Sequence, residues 1–100
     1  MTGTPEQRQS PPRRRSDLLC RVIDGEALIY DKLSNLTHRL NDTALFIWEQ
    51  CNGTRGPDLI AERVRQRYDV NGATAGADVR EAIRLMNRNG LLRDAAQDTI

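Results

Sequence analysis

Residues 18–40 read LLCRVIDGEALIYDKLSNLTHRL, and this stretch decides the fold. It contains three short runs rich in β-forming residues, separated by two turns. The Asp-Gly pair at 24–25 is a hairpin signal, because both central residues of a tight two-residue turn need a positive φ. The third run alternates with a period of two, so Leu36, His38 and Leu40 share one face of a strand. The stretch predicts a three-stranded antiparallel meander.

The residues after the meander predict three amphipathic helices. Asn41 can cap the first, which ends at the Asn-Gly pair 52–53. The second begins at the Gly-Pro pair 56–57, since proline suits the first helical position. The third covers residues 78–89, with Thr74 as an alternative start. The predicted fold class is α+β, a three-stranded antiparallel β-meander followed by three α-helices, and so few strands leave at least one sheet edge open.

The first sixteen residues differ in composition from the rest. They hold three of the four prolines and four arginines against one glutamate, with no apolar periodicity. Such a segment buries too little surface to offset its ordering entropy. We therefore expect a disordered Pro/Arg-rich tail at 1–16, a domain at 17–94 and a frayed C-terminus at 95–100. The arginines of the tail are expected to be solvated or to contact an acidic partner.

Several classes of function are disfavoured by composition. Outside the tail, the chain has 11 basic and 13 acidic residues, and this slightly acidic balance suits nucleic acid poorly. No apolar run approaches the roughly 20 residues that cross a bilayer. No secretory h-region stands near the N-terminus, so we expect a cytoplasmic protein with no membrane partner.

Catalytic and metal chemistry also lack a sequence signature. Cys20, Cys51 and His38 are too few for a structural zinc site with four ligands. Both cysteines fall in apolar patterns and are expected to be buried core residues. No nucleophile elbow, P-loop or HExxH occurs, and a lone histidine on an apolar strand face lacks the partner that acid–base catalysis needs. We expect no catalytic residues, no metal and no cofactor.

Several short segments occur in an order and spacing typical of one family. They are Gly25-Glu26, Tyr30-Asp31, His38-Arg39-Leu40-Asn41, Thr43-Ala44, Ile47-Trp48-Glu49 and Cys51-Asn52-Gly53-Thr54, followed by IAERVRQRYDV and a last helix that ends in NGLL. Over Val22 to Leu92 the chain resembles the PqqD-like family. That family supplies the small recognition element used in the biosynthesis of ribosomally made, post-translationally modified peptides.

The resemblance implies a winged-helix-like fold and a non-catalytic binding function. Members bind the leader of a precursor peptide as a strand added to the third strand, and present it to a modifying enzyme, often of the radical-SAM class. The peptide-binding residues that it implies lie on the third strand and the third helix. They are Leu36, Thr37, His38, Arg39, Val79, Arg80, Ala82, Ile83, Arg84, Leu85, Met86 and Asn87.

Each group has an expected role under this resemblance. The backbone of residues 36–39 bonds the leader, while Thr37 and Arg39 contact its side chains. The apolar helix residues line a slot, with Val79 and Met86 shared with the core. The polar helix residues Arg80, Arg84 and Asn87 would contact acidic or polar leader residues. Spacing alone does not say which flank of the helix faces the groove.

Two other interpretations fit the same elements. A winged-helix DNA-binding protein would insert the third helix into the major groove through Arg80, Arg84 and Arg88, but Asp78 and Glu81 partly cancel that charge. A homodimer would pair two copies through the open sheet edge. Dimerisation is compatible with leader binding.

Overall fold

The computed structural model describes residues 11–93. Its strands are β1 (Arg13–Arg14), β2 (Leu19–Ile23), β3 (Glu26–Asp31), β4 (Leu36–Leu40) and β5 (Leu92–Arg93), and its helices are α1 (Asp42–Gln50), α2 (Pro57–Tyr68) and α3 (Gly72–Arg88). The predicted α+β class, a three-stranded antiparallel meander followed by three helices, is confirmed. The expected frayed end at 95–100 lies outside the described residues.

The meander has the strand order β2-β3-β4. Asp24 and Gly25 have φ angles of 53° and 81°, as the predicted two-residue turn requires. Ala27 lies opposite Leu40, and Ile29 lies opposite His38. Ala27, Ile29 and Leu40 are buried, so this face of β3 and β4 packs on the helices while the other face is turned to solvent.

Two side-chain caps set the starts of α1 and α3. The side chain of Asn41 accepts from the N–H of Ala44 at 2.8 Å, as expected. The side chain of Asn71 accepts from the N–H of Thr74 at 2.8 Å, so α3 begins at Gly72. The helix was predicted to start at Asp78 or Thr74. The earlier start follows from the asparagine cap, which lies next to a Gly/Ala-rich segment whose composition is more typical of a loop.

The expected tail ends earlier than Ser16 in the structure. β1 pairs antiparallel with β5, and the N–H of Arg14 donates to the carbonyl of Cys51 at 2.8 Å. The side chain of Arg14 also lies over the Trp48 ring, 5.6 Å from its centroid. Residues 11–16 therefore belong to the folded body. Residues 1–10, the rest of the expected tail, lie outside the described part of the chain.

Arg15 holds this segment to the end of β3. Its guanidinium contacts the Asp31 carboxylate at 2.8 Å and the Asp17 carboxylate at 2.7 Å. It also donates to the carbonyl of Gly90 at 2.8 Å. The hydrogen bond from Arg15 lowers the pKa of Asp31 to about 2. A run of three arginines predicts solvation, but here the third one pairs with a buried carboxylate, which also accepts from the N–H of Leu33 at 2.9 Å.

The core lies between the meander and the helices. Ile29, Ile47, Ile60 and Leu91 are among its largest fully buried side chains. The indole of Trp48 donates to the carbonyl of Leu91 at 3.1 Å, which fixes the chain after α3 against α1. Leu91 and Leu92 pack on the body as expected.

The two cysteines have different environments. Cys51 is buried, as predicted, and burial raises its pKa to about 11. Cys20 is exposed, which corrects the prediction that it belongs to the core. The reason is that all of β2 is exposed, so no helix covers the face on which Cys20 lies.

Candidate peptide-binding groove

The outer edge of β4 is the first part of the site. Within residues 11–93, β4 pairs with β3 and no other strand. In an antiparallel pair, every second residue turns its N–H and C=O away from the partner strand. The edge of β4 therefore offers a row of backbone hydrogen-bonding groups. Strand β1 does not pair with this edge, because it pairs with β5.

A cavity of about 520 Å³ lies beside the C-terminal end of β4. Its walls come from the end of β4, the first turns of α1, the groove-facing flank of α3 and the chain after α3. The lining residues are Arg39, Leu40, Asn41, Thr43, Ala44, Ile47, Asp78, Glu81, Ala82, Leu85, Met86, Asn89 and Leu91. We refer to this cavity as the groove.

The floor of the groove is apolar because it is the surface of the core. Leu40, Ile47, Met86 and Leu91 are buried core residues that also line the groove. The small side chain of Ala82 leaves room between them. The groove therefore contains an apolar hollow whose floor is formed by the core.

The rim of the groove carries charge on both walls. Asp78 and Glu81 lie on the α3 wall, and Arg39 lies on the β4 wall. Glu81 pairs with Arg84 at 2.8 Å. Arg39 pairs with Glu26 at 3.8 Å, and both side chains of that pair are more than half exposed. Exposed pairs of this kind are weak, so the charges on the rim can exchange their partners for those of a bound chain.

The structure brings only part of the expected site together. Arg39, Ala82, Leu85 and Met86 line the groove. Leu36, Thr37 and His38 lie on the β4 edge strand, outside the cavity lining. Val79 is fully buried and Ile83 packs against the core. The expected polar contacts lie on exposed positions that do not line the groove: Arg80, Arg84 and Asn87.

His38 has an unusual position at the inner edge of the site. It is half-buried and lies opposite Ile29, on the face of β4 that is turned to the helices. Its Nε2 is buried and has no hydrogen-bond partner among the described residues. The sequence predicts a semi-buried histidine with satisfied polar atoms; the half-buried position agrees with this, but the unpartnered Nε2 does not. A buried polar atom without a partner is uncommon, and a strand added beside β4 would lie next to it.

Most lining residues were not among the expected contacts. They come from the start of α1 and from the acidic flank of α3, and include Asn41, Ala44, Ile47, Asp78, Glu81 and Asn89. The second group shares one helical face, but the sequence carries no signal that this face is the one turned to the groove. Residues 78, 82, 85 and 89 recur at helical spacing and share one face of α3. That face is the flank turned to the groove, which spacing alone did not decide.

The described residues offer no sign of a metal centre or a membrane span. Within 11–93, no group of three or more His, Cys, Asp or Glu residues is placed to hold a metal ion. None of the helices in that range is both long and apolar enough to pass through a bilayer.

A match to a known protein family identifies the fold. Residues 26–92 match the family described as Coenzyme PQQ synthesis protein D (PqqD). The chain belongs to the PqqD family. The match contains β4, all three helices and every residue that lines the groove. No match is found among curated proteins.

Two solved structures share the fold of this PqqD-family protein. One is TbiB1 in complex with the TbiA(beta) leader peptide, with a TM-score of 0.71, 20% identity, and coverage of 81% of this chain and 94% of that chain. The other is lasso peptide synthetase B1 complexed with the leader peptide, with a TM-score of 0.73, 22% identity, and coverage of 85% of this chain and 100% of that chain. The comparisons do not favour the winged-helix DNA-binding interpretation.

Proposed function

We propose that this PqqD-family protein binds the leader of a ribosomally synthesised precursor peptide as an added strand on β4. The observation that carries the proposal is the unpaired edge of β4 beside the apolar groove. Family membership supports it, as do the two structural neighbours, both described as complexes with a leader peptide.

The strand edge and the groove contribute differently to recognition of the leader. The backbone of residues 36–39 forms main-chain hydrogen bonds with the leader, which give affinity without reading sequence. Alternate side chains of an added strand point to the same face, so every second leader residue faces α1 and α3. One of these residues places an apolar side chain in the hollow over Ile47 and Met86. The hollow therefore gives specificity for the leader side chain at that position.

The protein acts without catalysis of its own and passes the bound leader to a modifying enzyme. The resemblance to the PqqD-like family supports a partner of the radical-SAM class in the cytoplasm. Binding at the edge of β4 leaves the rest of the precursor outside the groove, where a second protein can reach it.

A test of strand addition uses the peptide and leaves the protein unchanged. The peptide is the synthetic leader of a short precursor encoded beside this chain's gene, and titration calorimetry measures its affinity. We then place single N-methyl groups along the leader. In an added strand, alternate N–H groups point to β4, so N-methylation should weaken binding at every second position within the bound segment.

The control is the neighbouring methylated position, which has the same chemistry but points its N–H away from β4. Amide NMR shifts on binding should centre on residues 36–40 and on the groove. Loss of affinity without a period of two, or shifts confined to other residues, would rule out strand addition at β4. Absence of binding at high micromolar leader would contradict the function itself.

Pairing of two copies is a second candidate for the β4 edge. An unpaired strand edge is a template for another strand of any origin, and this one is open within the described residues. Because dimer and leader would use the same edge, they compete. Light scattering should show dimers that dissociate when leader is added. Monomers at all concentrations, or dimers that persist with saturating leader, would reject this candidate.

A further inference from the structure

Helix α3 separates its charged residues between two flanks. Asp78 and Glu81 line the groove, whereas Arg80 and Arg84 do not. The expected basic contacts therefore lie outside the cavity, and the charge that α3 presents to the groove is negative. The α3 wall of the groove would therefore favour basic leader residues, and not the acidic ones that contacts with Arg80 and Arg84 would favour.

The two acids differ in how far they are neutralised. Glu81 forms an ion pair with Arg84 across one helical turn. Asp78 forms no salt bridge and no side-chain hydrogen bond with any residue in the range 11–93. A carboxylate without a partner, at the rim of an apolar hollow, attracts a cation from a bound chain.

The spacing along α3 matches the spacing along a strand. Glu81 and Leu85 are four residues apart, which is about 6 Å along a helix axis. Leader residues on one face of an added strand recur every second position, which is about 6.7 Å. Asp78 and Ala82 are also four residues apart and are therefore separated by the same distance along the helix axis. Where the added strand runs along α3, an apolar leader side chain over Ala82 and Leu85 therefore has a same-face neighbour within reach of the acids.

We propose that the groove selects leaders that carry a lysine or arginine two positions from an aliphatic residue. The aliphatic side chain fills the hollow, and the cation lies against Asp78 and Glu81. The side chain between them points to the other face of the added strand. Arg39 lines the groove from the β4 wall, where it pairs with Glu26 at 3.8 Å, so the basic leader residue lies on the α3 side. This inference rests on the proposed leader-binding function and specifies its ligand.

The test is a selection from a displayed library of random 20-residue peptides against the purified full chain. Wild type is compared with the double variant Asp78→Asn/Glu81→Gln. The matched control is Glu62→Gln, since Glu62 forms the same i,i+3 pair with Arg65, at 2.6 Å, on a helix away from the groove. Circular dichroism checks that each variant is folded.

Peptides enriched by wild type should carry Lys or Arg two positions from Leu, Ile or Val. The control should keep this enrichment and the double variant should lose it. Enriched peptides without a basic preference would overturn the inference and leave leader binding intact. Failure to enrich any peptide would instead count against the proposed function.

A second measurement starts from a change in the peptide. Replacing the selected Lys by Glu in one enriched peptide should weaken its binding to wild type about tenfold or more, because like charges then face each other. Asp78→Lys should recover much of the affinity of that Glu peptide. Equal binding of the Lys and Glu peptides to wild type would overturn the inference even if the double variant failed to fold.

Discussion

The meander has two outer strands, β2 and β4, that differ in what lies beside them. Within the described residues, each pairs with β3 alone. Leu19 on β2 and Leu36 on β4 are both 55% exposed. An exposed leucine therefore occurs on both strands and does not by itself indicate a binding site. The difference is that β4 is followed directly by Asn41, the cap of α1. The first turns of α1 and the flank of α3 therefore lie next to the end of its edge.

The comparison teaches that an open edge is not by itself a binding site. The face of β2 that would meet the helices is uncovered, since Cys20 and Val22 are exposed there. A strand added to β2 would gain main-chain hydrogen bonds with nothing to read its side chains. A strand added to β4 would gain the same bonds and a shaped apolar hollow. Specific recognition needs both.

The largest expected effect is the chemical protection of the groove by a leader. Cysteine alkylation can report on both regions in one molecule, because Cys20 is exposed on β2 and Cys51 is buried with a raised pKa. We introduce a second exposed thiol with Leu85→Cys, since Leu85 lines the groove and is 39% exposed. At leader concentrations about 100 times Kd, the unbound fraction falls about 100-fold.

When leader is added at this concentration, the alkylation rate at position 85 should fall by up to about 100-fold. The rate at Cys20 should stay constant. Mass spectrometry of the labelled peptides measures both rates in the same sample. Protection of Cys20 instead of position 85 would place the leader on β2 and reverse the comparison. Equal protection of both thiols would indicate a general change in the protein rather than binding at one edge.

A smaller effect is expected from filling the hollow. Ala82→Phe occupies the space into which we place an apolar leader side chain, whose burial contributes about 1.5–3 kcal/mol. Leader affinity should therefore fall about tenfold or more. The matched control is Ala73→Phe, which adds the same ring to an exposed position of α3 outside the groove.

The control should bind the leader like wild type, as titration calorimetry would measure. Thermal unfolding of both variants separates loss of the hollow from loss of stability, since overpacking can also destabilise a fold. If Ala82→Phe is stable and binds with unchanged affinity, the hollow does not take part in recognition.

The fold was largely predictable because its signals are local. The turn at 24–25 and the alternation in residues 36–40 are properties of neighbouring residues. The start of α3 was missed for a related reason, because Asn71 acts as a cap within a segment whose composition suggests a loop. Arg15 was missed because its partner Asp31 is distant in sequence.

The site was harder to predict because it is formed by packing. The strand edge followed from the topology, but the groove depends on which flank of α3 faces α1. That orientation is set by the burial of Val79 and Met86 in the core, and it brings Asp78 into the groove instead of Arg80. The chain carries both charges at nearby positions, so charge alone did not indicate the groove flank.

The smallest expected effect concerns how β4 is held at its first residue. Asp31 lies opposite Leu36 in the register, and Arg15 binds its carboxylate. The pKa of Asp31 in the folded state is about 2, below the ordinary value of about 3.9 expected for the unfolded chain. Its ionised form therefore stabilises the fold above about pH 4, and this contribution is lost as the pH falls through about 2.

Asp31→Asn removes that titration. The gap in melting temperature between wild type and Asp31→Asn should narrow as the pH is lowered from about 5 to about 2, as circular dichroism would measure. Asp17→Asn is the matched control, because Asp17 binds the same arginine but its side chain is 51% exposed. The difference in melting temperature between wild type and Asp17→Asn should narrow less over the same pH range. A gap for Asp31→Asn that stays constant over this range would show that Arg15 does not stabilise the ionised carboxylate, and the start of β4 would then be no more firmly held than β2.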